Sequence, residues 1–131
     1  LAFWCTRAGV AGGGGLGALF RCAVSGLALR LAGTGFPWGT LCANVVGCFL
    51  IGLLWVLAER AALSPQAGLF LLTGLLGAFT TFSTYSLESI ILLRNGEVLR
   101  GFLNIVVSNG IGLIAVLAGF ACAQWLIRCS H

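Results

Sequence analysis

Apolar residues run along this chain in long blocks separated by isolated charges. Residues 31–58, 61–87 and 101–127 carry no charge at all. A helix needs about 20 apolar residues to cross a hydrocarbon core roughly 30 Å thick, so each block is long enough for one crossing and too short for two. A fourth block, residues 8–29, is interrupted only by Arg21. Its glycine-rich, arginine-interrupted pattern is unlike the compact apolar core of a cleavable signal peptide. The pattern therefore predicts four transmembrane helices. The first starts near Phe3 or Ala8 and ends at Leu29, the second covers 37–58, the third 66–93, and the fourth about 98–127. Pro37 suits a first helical turn, where its missing N–H is not needed. Connections are short, at 32–36, 59–64 and 94–97, the last with an Asn95-Gly96 turn signal. Trp38 and Trp55 bracket the second helix, and Trp4 and Trp125 lie near the chain ends, where amphipathic rings anchor at the headgroups.

The third block differs from the others. A continuous helix over 66–93 would measure about 42 Å, clearly more than the hydrocarbon thickness, so it must tilt strongly or break. Its middle holds Gly74 and Gly77, then Thr80, Thr81, Ser83, Thr84 and Ser86, five serine and threonine hydroxyls within seven residues. Broken backbone at membrane depth is tolerated only where it is buried in protein or lines a wet cavity. Such breaks build ion sites, since freed carbonyls face cations and half-helix N-termini face anions. The alternative is a hydroxyl-rich packing face.

Composition agrees with the pattern. The chain has 131 residues, is 60% hydrophobic and only 8% charged, with a mean hydropathy of +1.09, against roughly a quarter charged in a soluble domain. Its charges are seven arginines and three glutamates. With no lysine and no aspartate there is no Walker lysine, Schiff-base lysine or Asp-bearing triad, and no enzyme is expected. Methionine is also absent, which implies that the numbering starts after the initiator and that a short N-terminal stretch is missing. Of the six cysteines, Cys42, Cys48 and Cys122 fall well inside apolar blocks and none forms a CxxC pair, so all, Cys5, Cys22 and Cys129 included, read as small packing residues. His131 has no metal-ligating neighbour at suitable spacing, and no transition-metal site is expected.

Arginines set orientation through their excess on the cytoplasmic side. With four spans, Arg7, Arg60 and Arg128 lie on one face and Arg30, Arg94 and Arg100 on the other. This tie allows insertion both ways round, hence antiparallel two-fold dimers; a chance tie is the alternative. Gly13/Gly17, Ala43/Gly47 and Ser108/Gly112 are small-xxx-small pairs that let backbones approach closely in lipid. The run Gly12–Gly15 resembles a phosphate cradle only superficially, with no preceding strand and no following lysine.

Within the predicted spans the expensive groups are Arg21, Asn44, Glu88, Asn104 and Asn109, each a functional hypothesis by default. Asn44 follows Thr40 by one turn and precedes Gly47 and Cys48, so one helix face presents a hydroxyl, an amide and small residues. Its amide offers two donors to an anion or, alternatively, an interhelical hydrogen bond. Phe82 and Tyr85 share a face if that segment is helical, and aromatic edges carry the positive part of the ring quadrupole. Ser108 and Asn104 form another polar pair one turn apart. Neutral donors suit conduction, because an ion must bind well enough to enter and loosely enough to leave. Arg21 either draws anions to a vestibule or anchors helix-end carbonyls.

Three motifs stand in order along the chain: Gly13-Gly14-Gly15-Leu16-Gly17-Ala18 ending in Arg21; Gly39-Thr40-Leu41-Cys42-Ala43-Asn44 with Gly47 and Gly52; and the specific run from Gly74 to Glu88, with Thr80-Thr81-Phe82-Ser83-Thr84 at its core. Together they resemble the bacterial fluoride channel family (Fluc, also called CrcB) over nearly the whole chain. The resemblance implies an all-α membrane protein with four transmembrane helices, the third broken near its middle, in an antiparallel dual-topology homodimer in the bacterial inner membrane. It implies passive, uncoupled fluoride export through two pores, with fluoride, the lipid bilayer and a second copy of the chain as partners and no nucleic acid. The third helix would break at 77–80, where the carbonyls of Gly77 and Thr80 from both subunits hold a structural sodium ion. Asn44 would be a pore amide, Phe82 and Tyr85 an aromatic box, and Ser83, Thr84 and Ser108 hydroxyls of a polar track, with Thr40 and Glu88 near the pathway and Arg21 at its mouth. The chain departs from the family pattern at Tyr85, usually Phe, at Cys22, often aromatic, and at Asn104, often Tyr. A four-helix small multidrug exporter is the competing class, but it relies on a carboxylate in its first helix, where this chain has Arg21. A non-transporting membrane assembly protein, the third reading, leaves the hydroxyl-rich break unexplained.

Overall fold

A computed structural model describes residues 2–61 and 64–129. The interface role expected of the Trp4 side chain, and the readings of Cys5 and His131, fall outside the described side chains and residues. Five helices form four spans: α1 (Ala2–Ala32), α2 (Trp38–Ala61), α3 (residues 65–79), α4 (Phe82–Arg94) and α5 (Val98–Cys129). All four spans are long and apolar enough to cross a membrane, the third being α3 and α4 together. The chain is a multi-pass membrane protein.

Helix ends fall where backbone chemistry puts them. Gly33, at φ +77°, closes α1 by donating its N–H to the Leu29 carbonyl at 3.0 Å. Gly96, at φ +80°, closes α4 in the same way against Leu93 at 3.2 Å. Both positions demand the left-handed conformation that glycine adopts without steric cost. Ser64 caps α3, its hydroxyl accepting from the Ala67 N–H at 3.3 Å, with Pro65 in the first turn. The helices α1, α2 and α5 run past their predicted ends. The reason is that Arg30, Arg60 and Arg128 occupy the last turns of these helices, and Arg94 the last turn of α4. A cation there complements the negative end of the helix dipole. Successive spans that each end on an arginine share those four charges two and two between the faces, and Arg7 and Arg100, away from these ends, complete the tie.

The spans alternate in direction. Antiparallel α1 and α2 meet where the Ser25 hydroxyl donates to the Gly39 carbonyl at 3.2 Å. The parallel pairs α1/α3 and α2/α5 are set by glycine. A Cβ on Gly13 would lie 2.5 Å from the Phe70 carbonyl oxygen and one on Gly74 2.9 Å from that of Val10, while Gly17 rests against the Leu75 carbonyl. On the other side Gly52 abuts the Val116 carbonyl and Gly119 the Phe49 carbonyl. Small residues are what permit such backbone approach where lipid offers no hydrophobic drive to associate. The Gly13/Gly17 pair performs the predicted task; the Gly52/Gly119 crossing, between helices distant in sequence, was not foreseen. Ala43 and Ala123 are fully buried.

Two features belong to the third span. Between the turns Pro65–Gly68 and Gly77–Phe79, residues Leu69–Leu76 wind as a wider π-helix. No periodicity in the sequence announced this. The expected break is present at Thr80 and Thr81, both extended (φ −87°, ψ 151° and φ −138°, ψ 105°). Gly77, at the start of the expected break, is still helical at φ −61°.

Candidate functional site

Breaking a helix at this depth frees backbone groups that must find partners. Asn44 on α2 supplies them. Its Oδ1 accepts the Thr81 N–H at 2.8 Å and its Nδ2 donates to the Thr81 carbonyl at 3.3 Å. One amide thus imitates a strand partner for one extended residue. Gly47, one turn further along α2, leaves the room into which the Thr80 methyl and the Phe79 ring press. The Thr80 hydroxyl turns back to the Leu76 carbonyl at 3.2 Å. Since the Thr81 N–H points to Asn44, the Gly77 carbonyl loses the donor that a continuous helix would have provided.

Two cavities meet at this break. The larger, about 620 Å³, opens beside Arg21 and Cys22 and is also lined by Thr40, Thr81, Thr84 and Glu88. Thr40 donates its hydroxyl to Glu88 Oε1 at 2.9 Å. The other carboxylate oxygen of Glu88 is buried with no hydrogen-bond partner among the described residues. The smaller cavity, about 330 Å³, is lined by Asn44, Gly77, Thr80, Phe82, Tyr85 and Ser108 among others, so the Asn44–Thr81 pair joins the wall of one cavity to the wall of the other. The Phe82 and Tyr85 rings are 5.5 Å apart and inclined at 50°. Phe82 is 77% exposed in the single chain. Of the residues singled out in the sequence, Arg21, Thr40, Thr84 and Glu88 thus gather at the larger cavity, and Asn44, Phe82, Tyr85, Ser108, Thr80 and Gly77 at the smaller. Ser83 is exposed and does not line either cavity.

Tyr85 is tied to α5 through its backbone and its ring. The Ser89 hydroxyl donates to the Tyr85 carbonyl at 2.8 Å, Asn104 Nδ2 donates to Ser89 Oγ at 2.9 Å, and Ser108 donates to Asn104 Oδ1 at 3.2 Å. Asn104 and Ser89 are 1% and 3% exposed, so this relay satisfies polar groups that would otherwise be costly to bury. Asn109 Nδ2 donates to the Tyr85 hydroxyl at 2.8 Å. Ser89 went unnoticed in the sequence, and Thr81 stood out there only as one of the third span's hydroxyls, not for the backbone groups that meet Asn44. Ser89 stands one turn after Tyr85 in antiparallel register with Asn104, a relation visible only once α4 and α5 are paired. Among the described residues the five cysteines form no disulfide, and no group of three His, Cys, Asp or Glu side chains is placed to hold a metal.

A discontinuous membrane-spanning helix, spliced by a neighbour's amide and flanked by two mainly apolar cavities that a few polar side chains border, defines a class: small helical membrane proteins with broken backbone inside a span. Comparison with known proteins narrows this. Residues 8–120 match the family described as CrcB-like protein, Camphor Resistance (CrcB), and the chain belongs to that family. It is 52% identical over 118 residues to the fluoride-specific ion channel FluC of Salinibacter ruber, covering 90% of this chain and 89% of that protein. It is 44% identical over 110 residues to FluC of Shewanella halifaxensis (84% and 89% covered) and 43% identical over 122 residues to FluC of Nitrosococcus oceani (92% and 98% covered).

Proposed function

We propose that this protein is a fluoride-selective channel that lets fluoride leave the cell passively, and that it is not an enzyme. One observation carries the reading: relatives 43–52% identical along most of their length are named fluoride-specific ion channels. The geometry agrees with it. Fluoride collects in the vestibule beside Arg21, whose charge raises the local anion concentration without closing the path. It passes Thr40 and Thr84, the Asn44–Thr81 splice, and then the edges of Phe82 and Tyr85 with the Ser108 hydroxyl near by. These groups are neutral and compact, suited to replacing the shell of a small anion while still releasing it.

The assembly belongs to the same proposal. Two copies insert in opposite orientations in the bacterial inner membrane and pair as a homodimer with two antiparallel pores. The equal sharing of arginines between faces supports dual topology. A sodium ion is held where the copies meet by the carbonyls of Gly77 and Thr80. The residues fit such an ion: Thr80 ends the helical run in extended backbone, and the Gly77 carbonyl has given up its usual donor because the Thr81 N–H bonds to Asn44. Backbone carbonyls are hard oxygen ligands of the kind alkali cations take at unwound helices. Once bound, the ion supplies charge compensation for those carbonyls.

The test is ion efflux from liposomes holding the purified protein, with fluoride and chloride measured separately. Fluoride leaves without a proton gradient and chloride is nearly retained. Comparable chloride flux overturns the selectivity, and flux that requires a proton gradient and an organic cation restores the multidrug-exporter class.

A further inference from the structure

Tyr85 is the chain's single tyrosine; it lines the smaller cavity beside Asn109, its hydroxyl's partner, and carries that hydroxyl where a phenylalanine would offer only a ring edge. The hydroxyl's hydrogen-bond arrangement can be read from its neighbour. Asn109 Nδ2 lies 2.7 Å from the Ile105 carbonyl and 2.8 Å from the Tyr85 hydroxyl. A carbonyl oxygen can be met only by a donor, so the contact with Ile105 fixes the amide with its NH2 end inward. The second hydrogen of the same NH2 then points at the phenol, which must accept. Tyr85 therefore keeps its own O–H proton, and no described residue accepts it. The phenol's position is tightly held, because its backbone carbonyl is pinned through Ser89 to Asn104 and its ring packs against Phe82. Asn109, Tyr85, Ser108 and Thr80 all border the same cavity. A free O–H at membrane depth is expensive unless something accepts it.

We infer that the Tyr85 hydroxyl is a hydrogen-bond donor site for a small anion in this cavity, and that Asn109 is the positioning residue that turns the phenolic proton toward it. The inference rests on the fluoride reading and adds to it: at this position the anion is met by an O–H donor as well as by ring edges. Asn109 does not touch the anion. It fills the phenol's acceptor side, which polarises the O–H and strengthens it as a donor.

A single tyrosine makes the test direct. Protein carrying tyrosine labelled with carbon-13 at Cζ gives one resonance, sensitive to whether the phenol donates a hydrogen bond. Titrating reconstituted protein with sodium fluoride moves that resonance to saturation, and sodium chloride leaves it in place. In Asn109→Leu the resonance remains, but the half-saturating fluoride concentration rises at least about fivefold, in line with the net worth of one hydrogen bond. Asn109→Ser carries the same expectation if the leucine variant does not fold. Liposome efflux on the same unsubstituted preparation separates the two levels of the reading. Absence of fluoride flux overturns the channel assignment and this inference with it. Normal flux with a stationary tyrosine resonance overturns the donor site alone, and an unchanged half-saturation in both Asn109 variants removes Asn109 from it.

Discussion

Asn44→Ala removes the amide that makes the broken helix tolerable. Two hydrogen bonds to Thr81 are lost, at 2.8 Å and 3.3 Å, and alanine offers neither a donor nor an acceptor in their place. Leaving buried backbone groups unpaired costs about 1–3 kcal/mol each, so two orphaned groups put the loss at about 2–6 kcal/mol. Thr81 is half-buried and borders the larger cavity, so water reaches it and can replace part of what is lost, which draws the expected value toward about 2–4 kcal/mol. The measurement is reversible unfolding in mixed micelles by increasing SDS, followed through the fluorescence of the four tryptophans, beside fluoride efflux per folded protein in liposomes. Stability is expected to fall by the amount above, and flux by roughly tenfold or more, since a binding-competent geometry is lost together with a pathway donor. A stability within about 0.5 kcal/mol of the parent, the level of an ordinary surface substitution, would refute the splice. Lower stability with unchanged flux per folded molecule would show that Asn44 holds the break and does not meet the ion.

Gly17→Leu drives a branched side chain into the Leu75 carbonyl across the α1/α3 crossing. Because the obstacle is backbone, it is expected to cost more than the 1–3 kcal/mol of ordinary overpacking, read as loss of monodisperse protein on gel filtration, whereas Gly15→Leu, at a position with open space, leaves the profile unchanged. Two arginines inserted at the exposed Asn95 turn tip the tie between faces; the variant is expected to insert one way only and to conduct nothing when expressed alone, with flux restored by a partner biased the other way. A C-terminal reporter found on one side only in the unaltered protein defeats dual topology.

How much was legible in the sequence follows from the range of each interaction. The count of spans came from uncharged length alone, because the hydrocarbon core imposes one threshold on every helix. The turns at Gly33 and Gly96 are local, requiring only the next few residues and a positive φ. The break was legible as a hydroxyl-rich stretch after two glycines, and Gly13/Gly17 as a packing face, since both are patterns within a single segment. Tertiary structure decided the rest. Only the antiparallel approach of α2 to the third span shows that Asn44 bonds to the backbone of Thr81, and with it that the break lies at 80–81 while Gly77 remains helical. Asn104, Ser89 and Asn109 were three unrelated polar residues until α5 lay against α4 and joined all of them to Tyr85. In a membrane the polar groups are few and each must be met by another, yet sequence shows only which groups need partners. Which partner each one finds depends on the register between helices, and that register is set by glycine contacts between segments far apart in the chain, as at Gly52 and Gly119.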